Sequence, residues 1–141
     1  MDIKKVVVIG SGTMGSGIAA HLCNANIPVT LLDLKTEISE KARDRIHKSK
    51  PPLLLDKSKV DNIEVGNITD NFDVVKDADW IVEAVVERID IKHQIYKKIF
   101  KVRKEGAIVS SNTSSIPIKI LSEHLTDTEK KDFCITHFFN P

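Results

Sequence analysis

A chain of 141 residues, 41% apolar and 29% charged, suits one ordinary globular core and excludes a low-complexity or disordered tract as its main content. The formal net charge of +1 removes the whole-chain field that would draw the protein to nucleic acid or to an anionic membrane surface. No apolar run reaches bilayer length and no leader layout is visible, so a cytoplasmic location is expected, and Cys23 and Cys134, far apart with no CxxC pairing, read as two reduced thiols.

In chain order, Ile3 to Ile9 is a β-branched apolar run of the kind that fills a strand buried on both faces. After a glycine-rich turn, Met14, Ile18, Leu22 and Ala25 recur at helical spacing, and Pro28 forbids continuation past about Asn26. Val29 to Leu32 is a second strand that ends on Asp33. A charged helix is expected over Glu37 to Lys48. Lys50 to Lys59, with two prolines and three leucines, reads either as a loop that packs its leucines or as a short helix. Further strands are expected at Ile63–Ile68, Trp80–Val86, Ala107–Ser111 and Phe133–Phe139. A short helix near Phe72–Lys76, a longer one marked by Ile91, Ile95, Ile99 and Val102, and one capped by Ser115 with Leu121 and Leu125 facing inward separate them. Strands alternating with helices argue for an α/β fold: a Rossmann-type, doubly wound, mostly parallel sheet with helices on both faces.

Gly10-Ser11-Gly12-Thr13-Met14-Gly15 is a GxGxxG motif that follows a strand and opens a helix. Gly10 permits the tight turn, Gly12 leaves room for a pyrophosphate, and Gly15 lets helix and strand pack closely. Ser11, Thr13 and Met14 complete the loop whose free N–H groups, with the helix dipole, would hold phosphates. Asp33 stands where a carboxylate accepts both ribose hydroxyls and repels a 2′-phosphate, so the expected cofactor is NAD rather than NADP. The plain alternative is a glycine turn with no ligand and an aspartate capping a turn.

With the motif in view, four blocks, Gly10–Ala19, Val82–Glu87, Ser111–Ser115 and His137–Pro141, together resemble the 3-hydroxyacyl-CoA dehydrogenase family in the family's own order. The likeness covers essentially the whole chain, but only about the first half of a family member. It implies NAD-linked oxidation of the 3-hydroxyl of an acyl-CoA, a step of fatty-acid β-oxidation. It implies that residues 1–141 are the NAD-binding domain, and that a helical second domain completes the acyl-CoA cleft and forms a homodimer. By the same resemblance Glu87 and Lys92 lie near the nicotinamide ribose, Ser114 meets substrate and cofactor, His137 is the catalytic histidine, and Asn140 touches the cofactor. An imidazole suits proton transfer in both directions near neutrality. The family orients that histidine with a glutamate further along, which is not in this chain, so the isolated polypeptide is expected to bind NAD and turn over poorly.

Each assignment has a bland counterpart. His137 could be a satisfied core histidine, Ser111–Ser115 an ordinary loop and cap, and Glu83 and Glu87 surface acids, though Glu83 falls in a strand expected to be buried. His21, His47, His93 and His124 show no metal-ligand spacing and read as structural, so no metal is expected. The basic run from Lys97 to Lys104 reads as a solvated helix face, or more weakly as a patch for the CoA 3′-phosphate. Residues 45–62 are shorter and richer in proline than the family's corresponding hairpin, so no CoA contact is placed there. Two other functions remain open: a non-catalytic NAD-binding fragment, and a related hydroxy-acid dehydrogenase that does not use CoA.

Overall fold

The computed structural model describes residues 2–139. Its centre is β1, Val6–Ile9, flanked in parallel by β2, Val29–Asp33, and β4, Trp80–Glu83. Beyond β2 lies β3, Ile63–Asn67, and beyond β4 lie β5, Ile108–Ser111, and β6, Phe133–Ile135. The sheet order is β3-β2-β1-β4-β5-β6, and all pairings are parallel. The expected doubly wound fold is therefore present. The chain winds outward from β1 to one edge, returns to the centre, and winds to the other edge. Between β1 and β4 the winding reverses, and that junction is where such sheets open a crevice.

Alternation along β1 divides the core in two. Val6 and Val8 face α1, Thr13–Asn24, and α2, Thr36–Lys48, through Ile18, Leu22 and Ile46. Val7 and Ile9 face the other layer, where α3, Ile89–Val102, contributes Ile95, Tyr96 and Ile99 and α4, Ile118–Leu121, contributes Leu121. A strand buried on both faces needs the unbroken β-branched run that the sequence supplies. Both cysteines are free, and burial pushes both thiols up. Among the described residues no helix is long and apolar enough to cross a membrane.

Several elements are shorter than their sequence patterns. β1 begins at Val6 because the Lys4 and Lys5 N–H groups donate to the Asp79 carboxylate at 2.8 and 3.1 Å instead of entering the ladder. α1 gives way to Asn26, which takes the left-handed conformation (φ 60°) that ends many helices, while Ile27 N donates back to the Leu22 carbonyl at 3.0 Å. β4 stops at Glu83 and not at Val86, because the Glu83 side chain captures Val85 N at 2.9 Å. β6 stops at Ile135, two residues before His137. Ser115 does not cap α4, which starts after Pro117; its hydroxyl goes to Glu87 instead.

The ambiguous leucines resolve into a loop. Leu54 is buried and Leu55 is exposed, with Asn24 gripping Leu53 O and Leu55 N at 2.9 Å each. A 3₁₀ helix over Lys57–Asn62 follows. A second element missed in the sequence is α5, Asp127–Lys130, started by a reciprocal capping box between Thr126 and Glu129.

Candidate functional site

A cleft of about 770 Å³ opens at the carboxyl ends of the strands, above the β1/β4 junction. Its floor is the loop from Gly10 to Met14, and Asp33, Glu87, Ser114 and His137 stand on its walls. Elements far apart in sequence thus deliver the expected residues to one space.

The loop is built for close approach. Gly10 has φ +104°, and a side chain there would strike the Ala84 carbonyl. A Cβ on Gly15 would overlap the Gly10 carbonyl oxygen, so α1 can rest on the loop only through a glycine. Among the described residues, a Cβ on Gly12 would meet nothing within 4 Å. That position faces open space, as a phosphate cradle requires. Gly12 caps α1 without a side-chain acceptor, so the first-turn N–H groups of a 12-residue helix stay available to an anion. This donor set fits a pyrophosphate.

Ser11 is locked from three sides. Asp33 Oδ2 accepts from Ser11 N at 2.8 Å and from its hydroxyl, while the Ser11 carbonyl receives Ser16 Oγ at 2.9 Å and Arg45 Nη2 at 3.0 Å. Asp33 Oδ1 takes Leu34 N at 2.7 Å. The carboxylate braces the loop and still borders the cleft. Arg45 lines the cleft too, and nothing in the sequence reading singled it out. Its spacing from Ile38 and Ala42 on one helix face was the available signal.

On the opposite wall a buried ionic chain supports Glu87. Glu83, fully inaccessible, accepts Lys92 Nζ at 2.6 Å, Val85 N at 2.9 Å, Ser111 Oγ at 2.6 Å and the Tyr96 hydroxyl. Burial and the Glu83 charge push the Tyr96 phenol well above its ordinary value. Lys92 also reaches Glu87 Oε1 at 3.1 Å, and Thr113 Oγ1 and Ser115 Oγ donate to Oε2 at 2.6 and 3.1 Å. Partial burial opposes the Glu87 charge, but the Thr113 and Lys92 hydrogen bonds, the Lys92 charge and Ser115 outweigh it and hold the carboxyl below its ordinary range. Lys92 itself does not line the cleft: it is wholly buried behind Glu87 and acts on the space through that side chain. Glu83 is a buried hub, not a surface acid. Among the described residues no buried side-chain polar atom lacks a partner.

His137 lies past the end of β6, its ring 4.4 Å from that of Phe139. Two bonds hold its neighbours: Thr136 N to Ser111 O at 3.1 Å, and Phe138 N to Asn112 Oδ1 at 3.0 Å. Asn112 N in turn bonds Glu83 O at 2.8 Å, so the histidine segment is tied to the strand that carries the ionic hub. Asn112, inside the Ser111–Ser115 block, thus positions the histidine segment, a role that its place in the block does not signal. Phe138 also stacks on Trp80 with centroids 6.4 Å apart, and Trp80 Nε1 donates to Ser110 Oγ at 2.8 Å. Asn140 lies outside the described residues. His93 and His124, scattered in sequence, sit with ring centroids 4.5 Å apart.

The family model described as "3-hydroxyacyl-CoA dehydrogenase, NAD binding domain" matches residues 5–141. The chain belongs to this family. NAD is the cofactor that this domain family binds. One similar relative is a Rickettsia felis protein with the provisional name fatty acid oxidation complex trifunctional enzyme, 47% identical over 99% of this chain and 20% of its own length. A Deinococcus radiodurans protein named a probable 3-hydroxyacyl-CoA dehydrogenase is 41% identical over 100% of this chain and 43% of its own. Among solved structures, the (S)-3-hydroxybutyryl-CoA dehydrogenase of Ralstonia eutropha superposes with a TM-score of 0.81 at 31% identity, covering 99% of this chain and 50% of that one. The chain therefore spans half or less of the length of these 3-hydroxyacyl-CoA dehydrogenase-family relatives.

Proposed function

We propose that this domain carries the cofactor and proton-transfer half of an NAD-dependent 3-hydroxyacyl-CoA dehydrogenase. The observation that carries the reading is that His137 and Ser114 border the same cleft as the glycine loop and Asp33. A proton-transfer group thus stands in the space where the dinucleotide fits.

Bound NAD supplies the two-electron acceptor for the hydride that leaves C3 of the hydroxyacyl group. The protein handles the proton. His137 takes it from the C3 hydroxyl oxygen as the carbonyl forms, and returns it in the reverse direction. Ser114 holds that oxygen in line. Gly10 to Gly15 seat the phosphates, Asp33 accepts from the adenosine ribose, and Glu87, kept ionised by Lys92 and Thr113, accepts from the nicotinamide ribose. Asn140 is assigned a cofactor contact by the family resemblance alone. The acyl-CoA is shared with a helical second domain in a homodimer, as the family resemblance implies.

The test is acetoacetyl-CoA-dependent NADH oxidation by the gene product that carries this domain, unchanged and as His137→Gln. Loss of general acid/base help costs about 10²–10⁴-fold in kcat. NADH affinity should stay put. Equal turnover in the two proteins would remove His137 from the mechanism.

A further inference from the structure

A second cluster stands apart from the cleft. His93 lies on α3, two residues from Ile91 and from Ile95, which line the cleft, so it points to the opposite side of the helix. There it meets Glu123 and His124, which follow α4. One ligand atom from each of the three side chains lies within 4.8 Å of the others. Nε2 of His93 and Nε2 of His124 each stand 3.7 Å from Glu123 Oε1. The rings lie edge to face with centroids 4.5 Å apart.

We propose that His93, Glu123 and His124 form a zinc-class metal site that clips α3 to the segment after α4. Tetrahedral ligands on Zn²⁺ at its usual bond lengths sit roughly 3.4 Å apart. Both nitrogen–oxygen edges are already within a few tenths of an ångström of that figure. Two neutral imidazoles and one carboxylate make a donor set that suits Zn²⁺, Co²⁺ or Ni²⁺ and not the all-oxygen preferences of Mg²⁺ or Ca²⁺.

The surroundings favour a site with one open position. His93 is only 16% exposed, and its Nε2 lies 2.9 Å from the Ile120 carbonyl, which can only accept, so this nitrogen must exchange that hydrogen bond for the ion. A neutral imidazole carries its proton on either nitrogen, and Nε2 becomes a ligand once the proton sits on Nδ1. Glu123 and His124 are the exposed partners, at 50% and 71%, and the edge between the two histidines, within 4.8 Å, closes toward roughly 3.4 Å on binding. A cavity of about 450 Å³ lies beside the two histidines and leaves room for a water on the fourth position. Lys97 lines the same cavity and opposes a dication, so the site binds more weakly than a closed structural zinc site.

The experiment is a titration of the 1–141 polypeptide with Zn²⁺ by calorimetry and with Co²⁺ by visible absorption, alongside Tm with and without Zn²⁺. One equivalent, tetrahedral Co²⁺ bands and a Zn²⁺-dependent rise in Tm are expected. His124→Ala removes an exposed side chain that the fold does not need. It should weaken binding by at least about tenfold, and His93→Ala with His124→Ala should abolish it. NADH binding and Cys134→Ser serve as controls and should leave the metal result unchanged. Absence of a stoichiometric site in the unchanged protein overturns the proposal, and so does equal binding by a folded double variant.

Discussion

Lys92 Nζ and Glu83 Oε2 are 2.6 Å apart, and neither side chain is accessible to solvent. Two charges removed from water are tolerable only together and with their remaining hydrogen-bond capacity met, as Tyr96, Ser111, Val85 and Glu87 meet it here. Lys92→Met strands the Glu83 carboxylate and should cost about 3–5 kcal/mol in urea unfolding. Adding Glu83→Gln to that variant should recover part of the loss. A single variant with the wild-type midpoint would show that the pair bears no weight in the fold.

Two glycines of one motif should fail in different ways. Gly15→Ala forces α1 off the Gly10 carbonyl and should lower Tm, with a cost of about 1–3 kcal/mol of the overpacking kind. Gly12→Ala meets no atom of the described residues within 4 Å and should keep Tm nearly unchanged while NADH binding collapses. Paired thermal melts and NADH titrations separate the two, and an equal loss of Tm in both would contradict the open-cradle geometry.

Asp33 both borders the cleft and holds Ser11 through its N–H and hydroxyl. Asp33→Ala should therefore weaken NADH by about 10- to 100-fold, the worth of one charge-assisted hydrogen bond of about 1.5–3 kcal/mol. NADPH should suffer less, since the carboxylate that repels the 2′-phosphate is gone. If the preference for NADH over NADPH survives the substitution intact, Asp33 is not its source.

Asp79 should titrate near pH 2. A hydrogen bond from Lys104, then one from Lys4 N, lead the causes that hold its carboxyl at about 2, against an ordinary 3.8. A folded-state pKa below the unfolded one means that the contribution is fully present above about pH 4 and disappears as pH falls through the folded value. Asp79→Asn should flatten the acid limb of the stability curve between those values. Carboxyl chemical shifts followed by NMR give the pKa directly, and a midpoint near 3.8 would contradict the Lys104 contact.

The sheet was legible because β1, β2 and β4 are largely apolar runs bounded by glycine, proline or acid, the pattern of a strand buried on both faces, whereas β5 ends on two buried serines. The cleft was legible because Gly10 and Gly15 each answer a steric need that only glycine meets, while Gly12 leaves open space beside them. What the sequence hid was register and side-chain capture. Strand periodicity cannot tell that Glu83 will take the N–H of Val85 and end β4, nor that Asp79 will take those of Lys4 and Lys5. Lys92 looked like a cofactor contact by resemblance, and its burial followed only once Glu83 was placed opposite it. His93 and His124 looked unrelated because 30 residues of α3, β5 and α4 fold between them.

Trp80 is the only tryptophan in the chain, and it touches both the strand that leads to the ionic hub and, through Phe138, the segment that carries His137. The molecule therefore contains its own optical probe. Emission from one indole will register the ordering of the histidine segment, and energy passed from it to a reduced nicotinamide will register occupancy of the cleft, with no label attached.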